Sequence, residues 1–359
     1  MEDLQKGPTA SRPTFRLIQV LRACAAMMVV GFHSTAVVRN LVHAPIGIWG
    51  NGSGGVDIFF VISGFVMTLS SAPLRHASHP ARTFLARRLE RLVPLYWIAS
   101  AVTIVLALYG PAISRGPLGT AWHVAASFLF LASSTHGKVN DPVLFVGWSL
   151  NFEMAFYFLF AVALAFRASL LKTVVPILLV VAAMSYLPQR GMPLVVKFYE
   201  DPMLLDFAGG ILLALSVTHL RRMRWPFSVL LLVAGWTLLL GGSWMIHWYW
   251  RPELWGAAGM AIVAAAVALE GRWGARTPRW LQELGDASYS IYLVHAIILP
   301  HLGVLLAKWG RNDGTAVAVC IATLLVASAV CGVLVYRLVE RPIMGWFKGK
   351  RKTAVPANA

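Results

Sequence analysis

The chain of 359 residues is 58% hydrophobic and only 13% charged, against roughly 25% charged in an ordinary soluble domain. Too few polar residues remain to coat a water-soluble globule, so the composition points to a membrane protein that crosses the bilayer many times. The net charge of +16 does not point to nucleic acid: the basic residues are dealt out between long apolar runs, as in cytoplasmic loops drawn to anionic lipid.

In chain order, a polar N-terminus leads into apolar runs near 17–38, 55–71, 92–110, 146–166, 173–187, 203–219, 226–245, 255–269, 287–307 and 315–338. The first run contains Arg22 and lacks a small-residue cleavage site, so it reads as a span rather than a removed signal peptide. The stretch "AWHVAASFLFLAS" at 121–133 has the length of a re-entrant or interfacial segment rather than a crossing. Basic clusters decide the topology. With Lys6, Arg12 and Arg16 in the cytoplasm and 121–133 not crossing, Arg75 to Arg91, Arg167 and Lys172, "RRMR" at 221–224, "GRWGARTPR" at 271–279 and "FKGKRK" all fall inside. The expected fold is all-α, a polytopic membrane protein of about ten transmembrane helices with both termini cytoplasmic. "HWYW" at 247–250 then lies at the outer interface. Residues 1–345 form one integral-membrane domain, and 346–359 a basic cytoplasmic tail without fixed structure. Cys24, Cys320 and Cys331 all lie in apolar runs and have no zinc-site or disulfide spacing.

Ionisable residues inside spans are the functional candidates. Arg22 and His33 are eleven residues apart, close to three full helical turns, so they share a face at depths differing by about 16 Å. Alone, Arg22 would read as a snorkelling anchor and His33 as a histidine bridging two helices. Asp57 in "GGVDIFFVISGF" and Glu153 in "GWSLNFEMAFYFLF" begin their spans near the depth of His33, although Asp57 also suits a helix N-terminus. Trp148 and Tyr157 flank Glu153. "LGDASYSIYLVH" at 284–295 brings Tyr292 and His295 toward mid-membrane, with serines and tyrosines suited to interhelical hydrogen bonds. On "FLARRLERLVPLYW", Arg87, Arg88 and Arg91 share a juxtamembrane face, either as a lipid anchor or as a phosphate clamp. "YRLVERP" adds Arg337, Glu340 and Arg341.

These segments, with ten residues between Arg22 and His33, and "GVDIFFVISGFVM", "ARRLERLVPLYW", "WSLNFEMAFYFL", "SYSIYLVH" and "ERP" in order, resemble the acyltransferase 3 family of membrane O-acyltransferases. The first half looks closest to the branch acting on exopolysaccharides and surface glycans. Where many members carry two adjacent acidic residues, this chain has Glu153 followed by Met154. The resemblance implies acetyl-CoA as co-substrate and no metal. The glycan acceptor would be an exopolysaccharide or a lipid-linked oligosaccharide, and the site the bacterial inner membrane. On that basis Arg82, Arg87, Arg88, Arg91 and Arg341 are expected to hold the nucleotide phosphates, with Arg22 along the route. His33 is expected as general base, oriented by Asp57 or Glu153, or as an acyl carrier. Trp148, Tyr157, Tyr292 and His295 would be substrate or supporting residues. Membrane lipids are expected partners, nucleic acid is not, and the oligomeric state is open. The alternative from another class is a proton-coupled secondary transporter, since membrane His, Asp and Glu can relay protons.

Overall fold

A computed structural model describes residues 15–113, 118–135, 138–187, 191–241, 251–310 and 313–353. Each of the ten apolar runs falls on a helix. The elements are α1 (Arg16–Leu41), α2 (Gly55–Ser71), α3 (Pro80–Tyr109), α4 (Ala121–Phe128), β1 (Ser133–Thr135), β2 (Lys138–Asn140), α5 (Trp148–Ala165) and α6 (Val174–Met184). There follow α7 (Leu194–Tyr199), α8 (Leu204–Leu215), α9 (Val217–Arg221), α10 (Trp225–Gly241), α11 (Arg251–Trp273), α12 (Arg279–Asp286), α13 (Ser288–Ala307), α14 (Gly314–Val335) and α15 (Arg341–Thr353). Seven segments, carrying α1, α2, α3, α5, α11, α13 and α14, are long and apolar enough to cross a bilayer. The other three runs form shorter helices: α6 has 11 residues, α8 has 12 and α10 has 17.

The 121–133 stretch is not a span: α4 stops after eight residues. The chain turns into an antiparallel hairpin, with Ser133 opposite Asn140. Its polar atoms are satisfied locally, His123 Nδ1 lying 2.9 Å from Ser133 Oγ and Thr120 Oγ1 accepting from the His123 N–H. The aromatic stretch at 247–250 lies outside the described residues. The tail expected from residue 346 is instead helical as far as Thr353. The reason is packing: Met344, Phe347 and Lys348 line a cavity beside α3, which anchors the helix as far as the start of its basic end.

Small residues let the spanning helices approach closely, since lipid supplies no hydrophobic drive for helix to meet helix. Where α2 crosses α8, a Cβ on Gly64 would stand 2.3 Å from the Phe207 carbonyl oxygen, and one on Gly210 would stand 2.1 Å from that of Val61. Beside the crossing, Phe60 stacks on Phe207 at 4.5 Å and Phe156 approaches it to 4.0 Å, anchoring α5 to the same pair. The start of α1 has no side-chain cap of its own. Glu270 of α11 supplies one, each carboxylate oxygen accepting a backbone N–H, from Arg16 and Leu17, at 2.8 Å. A carboxylate is favoured there both by the orphan donors and by the helix dipole.

Candidate active site

Helices α1 and α13 run side by side in the same direction. Near their first turns Arg22 Nη2 donates to Ser288 Oγ at 2.8 Å, while Nη1 donates to Gln19 Oε1 at 3.1 Å. Further along, the His33 ring lies 5.2 Å from that of His295. The shared face of Arg22 and His33 is thus turned to one partner helix, with a polar contact at each end.

At the Arg22 end a cavity of about 670 Å³ opens outward, lined by Arg87, Arg88, Arg91, Asp286, Glu340 and Lys348 among others. A smaller chamber of about 110 Å³ lies deeper, among α2, α5 and α13. Arg22, Val66, Arg88 and Arg91 line both, so these residues form the neck between them. Inside the chamber Glu153 accepts from Tyr157 Oη at 2.7 Å and from Ser63 Oγ at 3.1 Å. Arg88 donates to Ser70 Oγ, and its guanidinium lies 5.5 Å from the centre of the Phe84 ring. Acidic groups temper the mouth. Buried Glu340, in a π-helical turn at Tyr336–Glu340, accepts from Ser290 Oγ at 2.5 Å. Burial holds the Asp286 carboxyl above its usual range, against the opposing pull of Arg22 and Arg91. The sum is a cationic funnel that narrows from a charged rim to a chamber with one carboxylate.

The His33 end is built differently. Its ring meets Phe32 at 4.7 Å and Phe145 at 5.1 Å, both edge-on. His295 is fully buried, its Nδ1 3.3 Å from the Ile291 carbonyl oxygen. One turn back, the Tyr292 ring lies 5.7 Å from His295. The Tyr292 hydroxyl donates to the Val146 carbonyl at 3.0 Å and sits 2.8 Å from Ser149 Oγ. Tyr292 also lines the inner chamber, whereas neither histidine does. It therefore forms the wall between the chamber and the imidazole pair.

Of the sequence-derived candidates, Arg22, Arg87, Arg88, Arg91, Glu153, Tyr157 and Tyr292 gather along the funnel, and His33 and His295 meet beyond it. The expected contact between His33 and a carboxylate is not present: among the described residues neither Asp57 nor Glu153 bonds to it. Glu153 lies five residues inside α5, about 7.5 Å below its start, on the funnel side of Tyr292. Asp57 is buried in the first turn of α2. Arg82 is exposed on α3 and lines neither cavity, while Arg341 lines an adjoining groove of about 330 Å³ with Arg279 and Glu283, which shares Asp286 and Tyr336 with the outer cavity. Trp148 packs edge-on against Phe152 at 6.2 Å. Sequence reasoning did not single out Ser63, Phe145, Ser149 or Lys348. A serine or phenylalanine in an apolar run carries no signal of its own, but Ser149 sits within the tryptophan–glutamate motif.

The sequence profile of the acyltransferase domain matches residues 16–337. The exopolysaccharide production protein ExoZ of Rhizobium meliloti is 32% identical, over 84% of this chain and 93% of its own. The acyltransferase MdmB of Streptomyces mycarofaciens is 27% identical over 84% of each chain. The peptidoglycan O-acetyltransferase OatA of Listeria monocytogenes is 24% identical over 94% of this chain and 58% of its own. No solved structure matches significantly.

Proposed function

This chain belongs to the acyltransferase 3 family, and from that footing we propose that it carries an acetyl group from cytoplasmic acetyl-CoA to a glycan hydroxyl. The acceptor is an exopolysaccharide or lipid-linked oligosaccharide on the far side of a bacterial inner membrane. Membership makes it a multi-pass membrane O-acyltransferase and displaces the transporter alternative. The observation that carries the finer reading is the funnel: an arginine-rimmed mouth that narrows at Arg22 into a chamber whose wall includes Tyr292, the neighbour of the imidazole pair. A donor with several phosphates and a long uncharged arm fits that gradient, because arginine binds phosphate oxygens through parallel charge-assisted bonds. The basic end is assigned to the cytoplasm by the positive-inside rule.

In this reading Arg87, Arg88, Arg91 and Lys348 hold the phosphates, and Arg22, fixed by Ser288, lines the route of the arm. Glu153 serves the donor rather than the imidazole: it balances the neck arginines and can accept from the arm's amide N–H groups. The Tyr292 wall must swing aside for the thioester to reach His33. That imidazole, walled by aromatic rings, takes the proton of the acceptor hydroxyl as it attacks the acyl carbon. The test compares surface polysaccharide by mass spectrometry from cells holding wild-type protein, His33→Ala protein or none. One acetyl mass present with wild type alone is expected. Acetylated glycan from verified, folded His33→Ala protein at the wild-type level overturns the assignment.

A further inference from the structure

Arg22, Arg88, Glu153 and Glu340 of the funnel each meet a polar neighbour, but beyond it stands a buried histidine with one ring nitrogen unmatched. His295 Nε2 has no hydrogen-bond partner among the described residues, although the side chain is wholly buried. A carbonyl oxygen can only accept, so the 3.3 Å contact of Nδ1 with the Ile291 oxygen puts the ring hydrogen on Nδ1. Nε2 then keeps its lone pair. An unmatched acceptor in an apolar setting is destabilising, and such a group persists where function uses it.

Position says what the lone pair is for. His295 stands between His33, at 5.2 Å between rings, and Tyr292, at 5.7 Å, and Tyr292 is the wall of the donor chamber. Acyl transfer from a thioester has two proton events, on the two sides of one acyl carbon. The acceptor hydroxyl loses a proton on the far side, and the leaving sulfur must gain one on the donor side. His33 is placed for the first. We propose that His295 performs the second, as the relay that returns the proton from His33 to the leaving thiolate. This rests on the acyltransferase reading above, with His33 as base.

The step balances. The acceptor oxygen bonds to the acyl carbon and gives its proton to His33. The carbon–sulfur bond breaks, and its electron pair goes to sulfur. His33 passes its proton to His295 Nε2, and His295 delivers it to the thiolate once Tyr292 has moved. Ester and thiol leave, and both imidazoles return neutral, with the Nδ1 hydrogen of His295 held throughout by the Ile291 carbonyl.

The experiment uses purified full-length protein in lipid vesicles. The acceptor is exopolysaccharide isolated from cells lacking the protein, and two donors are compared, acetyl-CoA and 4-nitrothiophenyl acetate. The aryl thiolate is a weak base that departs without help. His295→Gln is expected to lose on the order of 100-fold or more with acetyl-CoA, and less than about tenfold with the aryl donor. Equal losses with both donors, or none with acetyl-CoA, overturn the relay. The solvent deuterium dependence with acetyl-CoA gives an independent reading: curved for wild type, with two protons in flight, and linear for His295→Gln. A linear wild-type dependence also overturns it. His33→Ala separates the two layers of the argument, since it should fail with both donors. Wild-type rates in that variant sink His33 as the base on which the relay rests, whereas equal His295→Gln losses beside a silent His33→Ala sink the relay alone.

Discussion

The two ends of the α1–α13 pair solve opposite problems. Around Arg22 the protein gathers cations into a wide opening and supplies them with polar neighbours: Ser288, Gln19, Ser70, and nearby Glu153 and Glu340. Around His33 it provides phenylalanine edges and a second imidazole, and among the described residues no carboxylate bond to it is seen. The lesson is a division of labour. Capturing a polyanion needs many charges kept accessible to water. Proton transfer needs a neutral base in dry surroundings, where its lone pair meets no competing solvent.

That contrast can be broken by substitution at either end. The largest effect is expected at the imidazole: His33→Ala should lower turnover by about 100-fold or more, with donor affinity by calorimetry unchanged. Next comes the neck. Arg88→Met or Arg91→Met removes a charge-assisted bond to phosphate, typically about 1.5–3 kcal/mol, so the KM for acetyl-CoA should rise tenfold or more while kcat holds. Glu153→Gln sharpens the boundary, with a smaller, few-fold rise in the donor KM and no change in acceptor kinetics. A collapse of kcat at constant KM would move Glu153 to the imidazole's side of the wall. The smallest effect belongs outside both ends, where Arg337 grips Glu283 through bonds of 2.6 and 2.7 Å. That grip holds the Glu283 carboxyl below its usual range. Its modest stabilisation is therefore present at neutral pH and disappears as pH falls through the lowered value. Glu283→Gln should flatten that acid-side dependence in thermal unfolding scans and leave transfer untouched.

Much of this was legible in the sequence, because a bilayer forces a simple code. Ten apolar runs became ten helices, and the eleven-residue spacing placed Arg22 and His33 on one face, which α13 then covers. Depth was harder to read. Asp57, Glu153 and His33 read as level in the sequence because each lies near the far end of a run, yet one and a half helical turns put Glu153 on the other side of Tyr292. The arginine segment is more firmly held than its hydropathy suggests. α3 starts at Pro80, twelve residues before the apolar run at 92, so Arg87, Arg88 and Arg91 ride on the spanning helix itself and are held rigidly over the neck. A buried serine such as Ser63 or Ser149 gains its meaning only from what faces it, and a linear pattern does not record that.

The Glu270 clamp on the first turn of α1 has a wider consequence. With its end pinned, α1 cannot slip along its axis, and a hydrogen-bonded helix does not compress. It serves as a measuring rod of about 16 Å between the backbone positions of Arg22 and His33, set by eleven residues of helical rise. Thioesters on stubbier carriers would dock their phosphates well and still hold their cargo out of reach, so fidelity toward the carrier is written into a length.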